Sequence, residues 1–143
     1  MLSAGKLKGD VLARYDKGAR SERELLGMLS QAGFSVLRSA GSGVNALSPD
    51  LVAVRKGRVI AIECKAWNKG SISLDPMQYD KLVEWKANTE FPTFVAWRMN
   101  GAGWFFIELE EFTKGRSNWN VTKRKVLGLN RKLDDVTGGQ PRQ

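Results

Sequence analysis

A chain of 143 residues with no histidine, one cysteine and 23 Lys+Arg against 15 Asp+Glu excludes a good deal of chemistry at once. Without imidazole there is no His general base, no His-activated nucleophile and no imidazole zinc site, and the lone Cys64 rules out an internal disulfide framework or a multi-cysteine metal site. The formal net charge of +8 favours a polyanionic partner, nucleic acid ahead of an anionic membrane.

The length suits one domain with a real core, and hydrophobic and charged shares of 42% and 27% are ordinary for a soluble globular protein. The start, Met1-Leu-Ser-Ala-Gly-Lys-Leu-Lys-Gly9, lacks the apolar run of a signal peptide, and no stretch approaches the roughly 20 apolar residues of a membrane span. The expectation is a cytoplasmic protein in a reducing compartment, with no membrane partner.

Residues 1–16 carry mixed charge without a clean period and are expected to form a basic N-terminal arm. A helix is predicted from about Gly18 or Ser21 to Ala32, because Leu25, Met28, Leu29 and Ala32 recur at helical spacing. Ser21 followed by Glu24 fits a capping box, and Gly33 fits a stop. Glu22, near the helix start, has two readings: a charge favoured by the helix macrodipole, or a site residue. Residues 34–38 alternate as a strand that ends on Arg38. The small, polar loop of residues 39–49 is either a linker or a segment that orders against a ligand.

Two short apolar strands follow, joined by the turn Arg55-Lys56-Gly57-Arg58. Such a hairpin brings Asp50 and Glu63 together at its open end. Alternation puts Glu63 and Lys65 on one face and Ile62 and Cys64 on the other. Two carboxylates suit a hard cation such as Mg²⁺, which uses one or two carboxylates and fills its other positions with water and substrate phosphate. Lys65 would stand beside the metal-bound water.

Residues 67–71 form a polar loop. Asp75 then caps a second helix that opens on Pro76. Tyr79, Leu82, Val83 and Lys86 make one stripe of that helix and Gln78, Leu82 and Trp85 another. Residues 93–98 and 104–109 are two further strands across the turn Asn100-Gly-Ala-Gly103. The order of helix, three strands, helix, two strands predicts a single α/β domain with a central mixed five-stranded sheet flanked by helices. Residues 114–143 are expected to be a basic extension whose end is disordered.

Pro49-Asp50 with Glu63-Cys64-Lys65 resembles the PD-(D/E)XK signature of the restriction-endonuclease-like nucleases. Together with Lys17-Gly-Ala-Arg-Ser-Glu-Arg-Glu-Leu25, Gly33-Phe-Ser-Val-Leu-Arg-Ser-Ala-Gly-Ser-Gly43 and Pro49-Asp-Leu-Val-Ala53, it resembles, more narrowly, the archaeal Holliday junction resolvases. The similarity spans residues 17–109, and the nuclease domain is expected to occupy residues 17–113.

The resemblance implies a homodimeric, metal-dependent endonuclease that resolves four-way DNA junctions by paired nicks in recombination and repair. It implies that Asp50 and Glu63 bind the catalytic Mg²⁺, for which Mn²⁺ can substitute, with help from the backbone carbonyl of Cys64. Lys65 would orient or help deprotonate the attacking water. Glu22 would complete the site through water or a second metal. Arg23 and Arg38 would hold backbone phosphates, and Ser42 would be the serine of the mobile loop near the scissile strand. A dimer would give Leu82 and Trp85 a use as interface, against the alternative that Trp85 is ordinary core. Accessory recombination proteins remain open as partners. Two other activities stay in view: a nuclease of the same fold acting on other branched or duplex DNA, and a DNA-binding homologue without catalysis. Nothing in simple binding requires Asp50, Glu63 and Lys65 together.

Overall fold

The structure, a computed structural model, describes the backbone of residues 4–39 and 49–138 and the side chains of residues 18–39 and 49–138. The chain opens with a 28-residue helix, α1 (Ala4–Gln31). The helix thus starts well before the predicted Gly18 or Ser21. Ser21 lies inside it and is buried, so it caps nothing, and Glu24 is engaged elsewhere. The stop is as expected, with Gly33 in the left-handed region (φ 90°) and the N–H groups of Gly33 and Phe34 closing on Ser30 and Leu29.

Strands β1 (Ser35–Arg38), β2 (Leu51–Arg55) and β3 (Arg58–Ala66) form an antiparallel meander. The β2–β3 hairpin turns on Lys56 and Gly57, both at positive φ (49° and 81°), the backbone that a two-residue turn matched to strand twist needs. Strand β4 (Ser71–Leu74) leaves this sheet, and helix α2 (Pro76–Thr89) follows. Its N-terminus carries the expected cap: the Asp75 carboxylate accepts from the Gln78 N–H at 2.8 Å, and Gln78 Oε1 accepts from the Asp75 N–H.

Strand β5 (Thr93–Met99) then pairs with β3 in parallel, and β6 (Gly103–Glu108) closes the sheet in the order β1-β2-β3-β5-β6. The mixed five-stranded sheet flanked by helices is the architecture expected from the sequence. A 3-10 turn (Leu109–Glu111) leads to β7 (Thr113–Lys114), β8 (Trp119–Thr122), α3 (Lys123–Leu129) and α4 (Leu133–Thr137). Residues 114–138 are therefore built into the fold. In particular β8 pairs with β4 and β7 to form a second, three-stranded antiparallel sheet.

Alternation along the central strands divides the apolar side chains between two cores. Ile60, Ile62, Phe94, Ala96, Trp104 and Phe106 face α1 and meet its Leu25 and Leu29. Val95, Trp97, Met99, Phe105 and Ile107 face the other way, toward Leu82 of α2, Ile72 and Leu74 of β4, and Val121 and Val126 of the C-terminal elements. Tyr79 stacks on Trp119 with ring centroids 3.9 Å apart and donates its hydroxyl to the Leu109 carbonyl at 3.0 Å, which fastens α2 to the chain beyond β6. No helix among the described residues is long and apolar enough to cross a membrane.

Candidate active site

The register of the hairpin decides the site. Leu51 pairs with Ile62, so Asp50, one residue before β2, comes beside Glu63 of β3. The Asp50 N–H donates to Glu63 Oε1 at 3.2 Å, and Asp50 Oδ2 accepts from the Cys64 N–H at 2.8 Å. The Ser39 N–H donates to the Asp50 carbonyl at 2.8 Å, holding the backbone of Asp50 from the β1 side. A main-chain N–H thereby holds one oxygen of each carboxylate.

The electrostatics follow from that proximity. Burial, then the negative charge of Asp50 and a hydrogen bond with its carboxyl, raises Glu63 to about 8, and the Lys65 ammonium offsets only part of the rise. Lys65 lies two residues further along β3 on the same strand face. Cys64 points to the opposite face and packs against the α1-side core. Burial pushes its thiol well up, and the charges of Asp50, Glu22 and Glu63 add to the effect, so all three carboxylates lie close enough to be felt at one atom. A thiol held protonated in this way is inert, as expected from its place in the core.

Glu22 reaches the region from α1. Its Oε1 accepts from Arg38 Nε of β1 at 2.5 Å, with the Glu22 side chain mostly covered and Arg38 about half exposed. The sequence expectation makes Glu22 a metal-site residue and Arg38 a phosphate contact, and the structure joins the two as an ion pair. Arg23 is exposed on α1. Ser42 lies outside the described residues. Leu82 is only 4% exposed and belongs to the second core, which corrects its reading as an interface residue. Trp85 is half-buried, and its indole N–H is buried without a hydrogen-bond partner among the described residues.

Among the described residues no group of three or more His, Cys, Asp or Glu side chains stands ready to hold a metal. The Asp50–Glu63 pair nevertheless fits one hard divalent cation, which needs only one or two carboxylates. With no cation between them the pair keeps a proton near neutral pH, because two adjacent, partly desolvated carboxylates resist double ionisation. A dication would remove that penalty.

Sequence reasoning missed the role of Glu24. Its Oε1 accepts from Trp104 Nε1 at 2.9 Å and from Arg98 Nε at 3.0 Å, tying α1 to β6 and β5. The signal was its place beside the buried Leu25 at the edge of the apolar stripe. The sequence marks Arg55 only as a turn residue. Its guanidinium donates to the carbonyls of Ala32 and Thr137, each at 2.7 Å, and lies 4.6 Å from the Phe34 ring centroid.

Comparison with known proteins agrees with this fold. The family model described as archaeal Holliday junction resolvase (Hjc) matches residues 13–140. The chain is 35% identical over 135 residues to a crossover junction endodeoxyribonuclease Hjc of Methanocaldococcus jannaschii, covering 86% of this chain and 97% of that one. It is 30% identical over 123 residues to the Archaeoglobus fulgidus enzyme of the same name, covering 85% and 90%. The solved 1.6 Å structure of Archaeoglobus fulgidus Hjc, described as a Holliday junction resolvase from an archaeal hyperthermophile, matches with a TM-score of 0.76 at 28% identity, covering 88% of this chain and 99% of that one.

Proposed function

The chain belongs to the archaeal Holliday junction resolvase family, and from that premise we propose that it is a Mg²⁺-dependent, structure-selective endonuclease that resolves four-way DNA junctions. The observation that carries the reading is the Asp50–Glu63 pair, held by main-chain hydrogen bonds with Lys65 next along the same strand face. A binding protein would gain nothing from two carboxylates placed where phosphates must approach. A phosphodiester hydrolase needs them.

Asp50 and Glu63, with the Cys64 carbonyl, are the residues that would hold the ion, Mg²⁺ or its substitute Mn²⁺. When bound, the ion supplies an activated water, relief of charge on the phosphorane-like state and help for the leaving 3′-oxygen. The Cys64 N–H fixes the direction of the Asp50 carboxylate. Lys65 orients the water and offsets charge on the phosphoryl group; in a chain without histidine its amine is the natural partner for that task. Glu22 adds an acidic group from α1, acting through water or a second ion. Arg38, paired with Glu22, and Arg23 hold phosphates flanking the scissile bond.

The substrate is a junction with two symmetry-related strands to cut, which calls for two sites. A homodimer provides them. Trp85, half-buried on α2, is the residue that would lie at the dimer surface. The enzyme would act in the cytoplasm on chromosomal recombination intermediates.

The test is incubation of the purified protein with Mg²⁺ and a synthetic immobile four-way junction, with each strand mapped. Paired nicks at symmetric positions are expected, and a plain duplex of the same sequence should stay intact. Equal cutting of both substrates would make the protein a nuclease without junction preference.

A further inference from the structure

Beyond the carboxylate pair, where β3 gives way to the segment before β4, the fold leaves a cavity of about 170 Å³ that the proposed chemistry does not use. Trp67, Asn68 and Lys69 line it from that segment, Met99 and Asn100 from the end of β5, and Lys123 from the first residue of α3. Trp97, fully buried, also borders it and donates its indole N–H to the Trp67 carbonyl at 2.8 Å. The backbone of Trp67 is thus tied down while the residue is 42% exposed, an unusual position for so large an apolar side chain. Lys69 Nζ sits over the ring, 5.2 Å from its centroid, so one face of the aromatic already carries a cation.

The chemistry of the lining is specific. It holds aromatic surface, two ammonium groups, and two amides that can each donate and accept, with no carboxylate among them. A simple anion would need only the lysines. A planar heteroaromatic ring with an attached phosphate uses every one of these groups: stacking on the aromatic, hydrogen bonds at the ring edge, and cations at the phosphate. The position is equally pointed. Trp67 follows Lys65 by two residues, roughly 7 Å at strand rise, so a nucleic-acid strand lying across Glu63 and Lys65 continues past the cavity. At a branch point the base stack is already interrupted, which lowers the cost of turning a base out of it.

We propose that this cavity receives a nucleobase displaced from the stack beside the branch point, stacked on Trp67, with Asn68 and Asn100 at its edge and Lys69 and Lys123 at its flanking phosphate. This rests on the junction-nuclease reading above. It adds a base subsite that makes recognition depend on an unstacked nucleotide rather than on backbone charge alone.

The experiment measures binding to a four-way junction and to duplex of the same sequence, in chelator to prevent cleavage, for wild type, Trp67→Ala and Trp67→Phe. A parallel set of junctions carries 2-aminopurine at successive positions around the branch. Trp67 meets its buried neighbour through its own backbone carbonyl, so Trp67→Ala should melt as wild type does. The alanine variant is expected to bind the junction on the order of tenfold more weakly, with duplex affinity unchanged and phenylalanine restoring most of the loss. One branch-proximal 2-aminopurine should change emission with wild type and not with Trp67→Ala. Equal weakening on junction and duplex would overturn the subsite, since the tryptophan would then serve only backbone binding. Wild-type affinity in Trp67→Ala, or emission that ignores Trp67 at every position, would also overturn it, while resolution of the junction by wild type once Mg²⁺ replaces the chelator would leave the nuclease reading intact. Wild type that neither prefers nor resolves the junction would defeat both.

Discussion

Asp50 and Glu63 are joined twice around the open end of one hairpin: the Asp50 N–H donates to Glu63 Oε1, and the Asp50 carboxylate accepts from the N–H next to Glu63. Their separation is therefore set by strand register, and neither carboxyl can swing away to relieve the repulsion.

That constraint has a pH signature. The Glu63 carboxyl titrates near 4.5 in an unfolded chain and at about 8 in the metal-free fold, so its folded pKa is raised. Its contribution to stability is fully present below the unfolded value and is lost as pH climbs toward the folded value, because over that window the unfolded state sheds a proton that the folded state keeps. In chelator the melting temperature of wild type, relative to Glu63→Gln, should fall from about pH 5 to about pH 8. Millimolar Mg²⁺ should restore it at the upper end by binding only the folded form. Calorimetry across that range checks this, and a wild-type-minus-variant difference that stays flat would refute it.

Catalysis and binding should separate at the same residues. Asp50→Asn and Glu63→Gln remove ion-holding charge while keeping shape, so cleavage should drop by roughly 10³-fold or more, as expected when several kcal/mol of transition-state stabilisation is lost. Junction affinity should hold, because each change keeps the side chain's shape and adds no negative charge to a phosphate-facing surface. Gel-shift and cleavage assays on the same preparations decide it. Undiminished cleavage in both variants would move the active site elsewhere.

What the sequence reveals here is what local chemistry encodes. The β2–β3 hairpin, the Asp75-Pro76 helix start and the Asn100-to-Gly103 turn are each specified within a few residues, and each forms where expected. Strand β4 was hidden because Ser71-Ile-Ser-Leu74 is short and pairs with Trp119–Thr122, a partner almost fifty residues away that no local window contains. The early start of α1 was hidden because Gly5, Gly9 and scattered charges mask the helical spacing of Leu7, Val11, Leu12 and Tyr15. At the site, alternation alone put Glu63 and Lys65 on one face, whereas the Glu22–Arg38 pair joins a helix to a strand across the sheet face and needed the fold to appear.

The two glutamates of Glu22-Arg-Glu24 should have opposite phenotypes. Glu24 satisfies the indole N–H of Trp104, whose ring is buried, so Glu24→Ala should cost about 1–3 kcal/mol of stability by leaving that donor unpaired. Glu22 pairs with a half-exposed arginine, an interaction worth about 0–1 kcal/mol, so Glu22→Gln should leave the melting temperature nearly unchanged and reduce cleavage. Urea titration beside the cleavage assay distinguishes them. Matching losses of stability in the two variants would contradict the division of roles.

With a net charge of +8 the protein should bind junction DNA mainly through phosphates. The logarithm of the binding constant should then fall linearly with the logarithm of salt concentration. For roughly six contacts, affinity should drop about 10³-fold between 50 and 200 mM. A flat response would point to an interface dominated by something other than counterion release.

The residues after 113 should be indispensable to folding, despite a basic composition that reads as an extension. Val121, Val126 and Val136 are each at most 6% exposed, the first two in the α2-side core and the third in the α1-side core. At about 1.5–3 kcal/mol for each buried side chain, these three alone contribute roughly 5–9 kcal/mol, comparable with the whole stability of a typical domain. The segment also supplies Arg131, which meets both carboxylate oxygens of Glu111 (2.6 and 3.0 Å) and the Phe106 carbonyl, and Thr137, whose carbonyl accepts from Arg55. Removing β8 would strip β4 of its only sheet partner among the described residues and expose Ile72 and Leu74. A chain ending at Thr113 should therefore lack a cooperative thermal transition and well-dispersed amide resonances. One ending at Gly138 should melt close to the full chain, since all of these contacts survive.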